Sequence, residues 1–152
     1  MSILAIDPGV TGAVCMISGD IVSVFDLPVM TMPTGKKQIN PYELTALIQE
    51  LAPDRAVIEK VGAMPGQGVV SMFNFGKSAG IIEGVCAGLF IPVSFVTPQK
   101  WKKHHGLIGK DKDYARTYAI QTRPELAVQL KRKKDIGRAD AYLMAKHAKD
   151  IS

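Results

Sequence analysis

Three carboxylates stand where apolar segments end. Asp7 follows the run Ile3 to Ile6, Glu59 closes the segment Arg55 to Glu59 (RAVIE), and Asp140 lies in Gly137-Arg138-Ala139-Asp140-Ala141. If the first apolar run and RAVIE are neighbouring strands, Asp7 and Glu59 project from adjacent strand ends. A last helix can then bring Asp140 between them. Clustered carboxylates repel and stay partly protonated unless a cation neutralises them. Hard oxygen ligands of this kind suit Mg²⁺ or Mn²⁺, which keep open positions for water and phosphate oxygens. Two such ions about 4 Å apart activate a water and stabilise the leaving oxygen in phosphodiester hydrolysis. Caps and turns account for each acid taken singly. An Asp at the end of an apolar strand says more, because burying it without a partner is costly.

The basic residues point the same way. The chain has 152 residues and a net charge of +5. Between Lys100 and Arg138 there are twelve Lys or Arg and four acids, Asp111, Asp113, Glu125 and Asp135. The rest of the chain carries seven basic residues and ten acids. A basic third on a mildly acidic scaffold is the footprint of a phosphate-backbone binder; the plainer reading is a solvated surface. The candidates for phosphate contact are Lys100, Lys102, Lys103, Lys110, Lys112, Arg116, Lys131, Arg132, Lys133, Lys134 and Arg138.

Other chemistries fit less well. Cys15 and Cys86 lie far apart in apolar surroundings, which excludes a disulfide framework and a Cys-rich zinc site. Gly76-Lys77-Ser78 resembles the end of a phosphate loop, but the first glycine of that pattern falls on Ser71. His104, His105 and His147 lack zinc spacing and read as surface or DNA-facing residues. Trp101 reads as a core anchor. MSILAIDPGV carries no basic leader, and the most apolar stretch, Ile81 to Val96, is broken by Glu83 and Pro92. The expectation is a cytoplasmic protein with no membrane span, folded as one domain over residues 1–152.

The elements that must position these residues follow from the apolar pattern. Ile3 to Ile6, Ala13 to Ile17 and Ile21 to Phe25 read as an antiparallel meander. Leu27 to Asn40 reads as a loop. Asn40-Pro41 opens a helix with Leu44, Leu47, Ile48 and Leu51 at helical spacing, ended by Pro53. RAVIE is a strand, Met64 to Gly68 a loop, and Val69 to Phe90 a long helix apolar nearly all round. That helix should be buried on more than one side. Its glycines Gly76, Gly80, Gly84 and Gly88 cost about 1 kcal/mol each against Ala. Close approach to a neighbour would offset this, the neighbour being the sheet of the same chain or a partner subunit. Val93 to Val96 is a fifth strand, and helices follow at Thr97 to Trp101, Asp111 to Gln121 and Arg138 to Lys149. The order is α/β with a mixed five-stranded sheet flanked by helices.

Three collinear stretches carry a resemblance. Ile6 to Val14 (IDPGVTGAV), Ala56 to Val61 (AVIEKV) and Gly137 to His147 (GRADAYLMAKH) look like the RuvC family of Holliday junction resolvases. VSMFNFGKSAGIIEGV and TPQKWKKHHGL are similar to its compact bacteriophage branch. The resemblance implies an RNase H-like fold, a homodimer, and paired symmetric nicking of four-way DNA junctions with two Mg²⁺ or Mn²⁺ ions per site. Asp7, Glu59 and Asp140 match the family's metal-binding acids. The position where the family often has a fourth acid or His is Gly137 here, which leaves Asp135, two residues earlier, or no fourth ligand. Lys102 and Lys112 fall near lysines that the family places at the scissile region, with Lys110 an equal match for the second. The family's aromatic after the catalytic Glu falls on Gly62, which leaves Met64 or Phe73 to contact junction bases. The alternatives are an RNase H-like nuclease acting on RNA or flaps, and a non-catalytic junction-binding module.

Overall fold

The computed structural model describes residues 1–60, 62 and 65–152. Strands β1 (Ser2–Ile6), β2 (Ala13–Ser18) and β3 (Ile21–Asp26) form the expected antiparallel meander. Helix α1 (Pro41–Leu51) leads into β6 (Arg55–Glu59), helix α2 (Val69–Gly88) into β7 (Val93–Val96). Both β6 and β7 run parallel to β1, and the sheet order is β3-β2-β1-β6-β7. Helices α3 (Pro98–His104), α4 (Lys112–Thr122) and α5 (Ile136–Asp150) complete the α/β fold.

The caps come from local chemistry. The Asn40 side chain accepts from the Tyr42 and Glu43 amides, with Pro41 preset at the first helical position. Thr97 accepts from the Lys100 amide and Asp111 from the Asp113 amide, which start α3 and α4.

One segment departs from expectation. Val29–Thr31 (β4) and Lys37–Ile39 (β5) pair as a small antiparallel hairpin within the stretch expected to be a loop. Gly35, at φ 85°, makes its turn. Three-residue strands broken by prolines carry too little alternation to be read from sequence.

The sheet separates two cores. Leu4, Ile6, Ala56 and Ile58 face α1 and α2; Ile3, Ala5 and Val57 face α4 and α5. Alternation along β1 and β6 puts Asp7 and Glu59 on the α5 side. Ala139, Ala141, Ala145 and Ala148 are buried in α5, and such small side chains let the helix lie close on the sheet.

Within the chain, helix α2 is buried along one face. Its buried residues are Ser78, Ile82 and Cys86, a single stripe. The four glycines lie two residues out of phase with that stripe, on the opposite face at about 100° per residue. A Cβ at Gly76, Gly80, Gly84 or Gly88 would meet nothing within 4 Å among the described residues. The glycines therefore do not serve contact with the sheet.

Candidate active site

The Asp7 loop is shaped by its glycines. The Asp7 amide donates to the Ala13 carbonyl at 2.9 Å, and Gly9 turns the chain at φ 117°. A Cβ on Gly12 would overlap the Asp7 carbonyl oxygen, so no side chain fits there. Helix α5 begins against this loop. A Cβ on Gly137 would stand 2.8 Å from the Thr11 carbonyl oxygen and 3.4 Å from Asp7 Oδ2. The helix start is thus pressed onto the Asp7 turn, and Asp140 follows three residues later.

Ile6 and Ile58 are register partners, so Asp7 and Glu59 are the next residues along two parallel strands. Trp101 is fully buried, as expected of a core anchor, and its Nε1–H also donates to Glu59 Oε2 at 2.8 Å. That bond escaped the sequence reading; the only cue was a Trp beside Lys102 in a chain with one Trp.

Each acid is disturbed by its surroundings. Burial pushes Asp7 up to about 8, helped by the charges of Glu59 and Asp140 and opposed by Lys102. Burial and Glu59 push Asp140 up to about 7, against Lys102 and Lys112. Burial also raises Glu59, partly offset by the Trp101 bond and Lys102. Lys102 therefore acts on all three carboxyls and Lys112 on Asp140. Glu59, Asp140, Lys102, Lys110 and Lys112 line one cleft of about 480 Å³ between α3, α4 and α5.

As the side chains stand, no three acid, His or Cys groups among the described residues are gathered closely enough to hold a metal ion. The donor chemistry still suits a divalent cation. Asp7 and Asp140 have no cationic hydrogen-bond partner among the described residues, and Lys102 and Lys112 only partly offset the rise that burial imposes on them. Clustered carboxyls of this kind ionise together readily only when a cation neutralises them.

The other predicted residues are placed differently. Asp135 is buried, accepts from the Arg132 amide at 2.9 Å, and pairs with the Arg132 and Arg138 guanidinium groups at 2.9 and 3.6 Å. Arg132 holds its carboxyl below the usual range. Its charge is not among those that disturb Asp7 or Asp140, so the structure does not bring it to the three acids.

Arg116 is bound to Asp113 and the Leu130 carbonyl, and Arg138 to Asp26 and the Gln129 carbonyl. These arginines tie loops to helices. Lys110 and Lys112 are exposed, the Lys110 ammonium 5.4 Å from the Tyr114 ring centre. Lys100, Lys103, Lys131, Lys133 and Lys134 are also exposed and have no carboxylate partner among the described residues. His105 and His147 are buried rather than DNA-facing, and both rings stack edge-on against His104 where α3 meets α5. Phe73 is 70% exposed on α2, and Met64 lies outside the described residues.

No protein-family model matches the chain, and no curated protein matches it in sequence. Solved structures do match. Thermus thermophilus RuvC superposes with a TM-score of 0.62 at 11% identity, over 99% of this chain and 96% of that one. The same protein in complex with Holliday junction substrate gives 0.62 at 10% identity and the same coverage. The yeast mitochondrial Holliday junction resolvase Ydc2 gives 0.56 at 12% identity, over 95% and 76% of the two chains. The fold is that of the RuvC structure, RNase H-like, with a mixed five-stranded sheet. Among the described residues no helix is long and apolar enough to cross a membrane.

Proposed function

We propose that this chain is a metal-dependent endonuclease that resolves four-way DNA junctions by paired, symmetric nicks. One observation carries the reading. Three carboxyls raised by burial, Asp7, Glu59 and Asp140, stand beside a lysine-lined cleft, with the charge of Glu59 raising the other two further. The fold around them resembles that of a protein solved with a Holliday junction.

Asp7, Glu59 and Asp140 would hold two Mg²⁺ or Mn²⁺ ions, which when bound supply a water activated for attack and charge stabilisation at the phosphate. The chain's own groups do the rest. The Trp101 N–H fixes the orientation of Glu59. Lys102 sets positive charge beside the acids, where negative charge develops on the scissile phosphate. Lys110 and Lys112 bind phosphate oxygens along the cleft wall. Exposed lysines on α3 and in the 131–134 run add sequence-independent contacts to the backbone.

The junction's approximate two-fold symmetry calls for a two-fold dimer, each subunit nicking one strand. Helix α2 supports this assignment. Val69, Val70 and Phe73 are exposed beside a glycine stripe that nothing in the described chain approaches.

The test is nicking of a synthetic four-way junction, a linear duplex and an RNA duplex, each with Mg²⁺ and with EDTA. Paired nicks in the junction alone, lost in EDTA, are expected. Equal cleavage of RNA or linear duplex, or none of the junction, overturns the reading.

A further inference from the structure

Seven Lys or Arg lie outside the basic segment. Three have partners on the protein: Arg55 donates to the Ala148 carbonyl, Lys146 pairs with Asp150 at 3.1 Å, and Lys149 donates to the Gly19 carbonyl. Lys60 follows Glu59. The remaining three meet in one place. Lys36 and Lys37, at the tip of the β4–β5 hairpin, and Lys77, on α2, line a groove of about 630 Å³ with Asn74 beside them. All three lysines are exposed, and no Asp or Glu lines the groove among the described residues.

Strand β5 packs on α2, so the two walls are held against each other. Gly9 and Val10, which directly follow Asp7, belong to the same groove. It lies on the α1–α2 side of the sheet, whereas the 480 Å³ cleft lies on the α4–α5 side. Glu59 and Asp140 line the cleft, and the residues that follow Asp7 line the groove. Three exposed ammonium groups with no acid among them make the groove complementary to a polyanion.

We propose that this groove is a second phosphate-backbone site, which takes the DNA as it leaves the acids on the α2 side of the sheet. The proposal rests on the reading of the chain as a DNA endonuclease and adds a path on the face opposite the lysine cleft. Its lysines act as point charges on phosphates and carry no base readout.

The test is the triple variant Lys36→Gln, Lys37→Gln, Lys77→Gln. Fluorescence anisotropy follows its binding to a labelled four-way junction, a linear duplex and a single strand over a range of salt, in EDTA. The slope of log affinity against log salt should become shallower by about two to three units on the junction. The cleavage rate at saturating enzyme should stay within about twofold. The linear arms tell whether the groove takes a duplex arm or a separated strand. If the triple variant does not fold, Lys77→Gln alone should lose about one unit of slope.

An unchanged slope in a folded variant overturns the groove. So does a change of oligomeric state without a change of slope, which makes it a subunit contact. If the unaltered chain binds none of these DNAs, the groove and the endonuclease reading fall together. If it binds with a groove-dependent slope but nicks nothing, the groove stands and the endonuclease reading fails.

Discussion

Asp7 is the most heavily perturbed acid of the site, with a carboxyl raised to about 8 by burial and by the neighbouring Glu59 and Asp140. The sign of the consequence is clear. Its folded value lies above the ordinary aspartate value of 3.8, so the folded chain binds a proton more tightly than the unfolded one. Without metal, this group favours folding below about pH 4, and that contribution is lost as pH rises toward about 8. Asp7→Asn removes the ionisation, and should raise the melting temperature at pH 8 in EDTA by about 2–4 °C, the effect of about 1 kcal/mol in a domain of this size. The same variant should retain junction binding and lose cleavage. Near-normal cleavage, or a lower melting temperature in EDTA, would contradict the assignment. Metal binding must displace protons from Asp7 and Asp140, so the Mg²⁺ concentration for half-maximal cleavage should fall as pH rises from 6 to 8. Trp101→Phe keeps most of the buried ring and deletes the 2.8 Å bond to Glu59. It should raise the Mg²⁺ requirement and lower the rate about tenfold, the scale of losing a bond that orients a metal ligand. Unaltered Mg²⁺ dependence in a folded variant would leave Trp101 a packing residue only.

At the scale of elements, the close fit of the α5 start onto the Asp7 loop decides whether the three acids can act together. Gly12→Ala forces a Cβ into the Asp7 carbonyl, so it should cost at least about 1–3 kcal/mol and abolish cleavage even where the chain folds. A chemical denaturation midpoint equal to that of the unaltered protein would show that the loop can shift freely. The basic segment divides by element as well. Its arginines Arg116, Arg123, Arg132 and Arg138 are paired with Asp113, Glu125, Asp135 and Asp26, while Lys102 and Lys112 face the acids electrostatically. Lys102→Ala or Lys112→Ala should therefore lower the single-turnover cleavage rate more than affinity. Neutralising Lys131, Lys133 and Lys134 should weaken affinity and leave the rate of bound enzyme unchanged. Loss of affinity alone from both sets would assign all these lysines to DNA positioning.

For the whole molecule, the open question is what covers the outer face of α2. In a monomer, exposed helix glycines are simply unfavourable, and Gly80→Ala with Gly84→Ala should stabilise the chain by about 2 kcal/mol. In a dimer that uses the stripe for close helix approach, the added methyl groups wedge the subunits apart. The double variant should then raise monomer stability and weaken self-association at least about tenfold by sedimentation, with paired nicks becoming single nicks. A monomeric unaltered chain with full junction activity would remove the dimer. If the groove proposed above binds DNA, the molecule has basic regions on both faces of the sheet, flanking the strand ends that carry the acids.

Much of this was legible in the sequence. The five strands of the sheet, the helix start at Asn40-Pro41, and the positions of Asp7 and Glu59 at strand ends follow from short-range rules. Period-2 alternation, turn residues and side-chain capping act within a few residues, so they leave a mark in the sequence. What the tertiary structure alone decided depends on contacts between residues distant in the chain. The bond from Trp101 to Glu59 spans 42 residues, and Arg138 reaches Asp26 across 112. Identical basic residues were therefore indistinguishable in sequence: an arginine locked to a distant carboxylate and a lysine open to phosphate have the same local pattern. Asp135 is held instead by local partners, Arg132 and Arg138, each three residues away in the turn before α5. Helix α2 read as buried because composition counts apolar residues but does not say which face meets a neighbour. Only the packing of Ser78, Ile82 and Cys86 against the body, with the glycines turned away, made that choice.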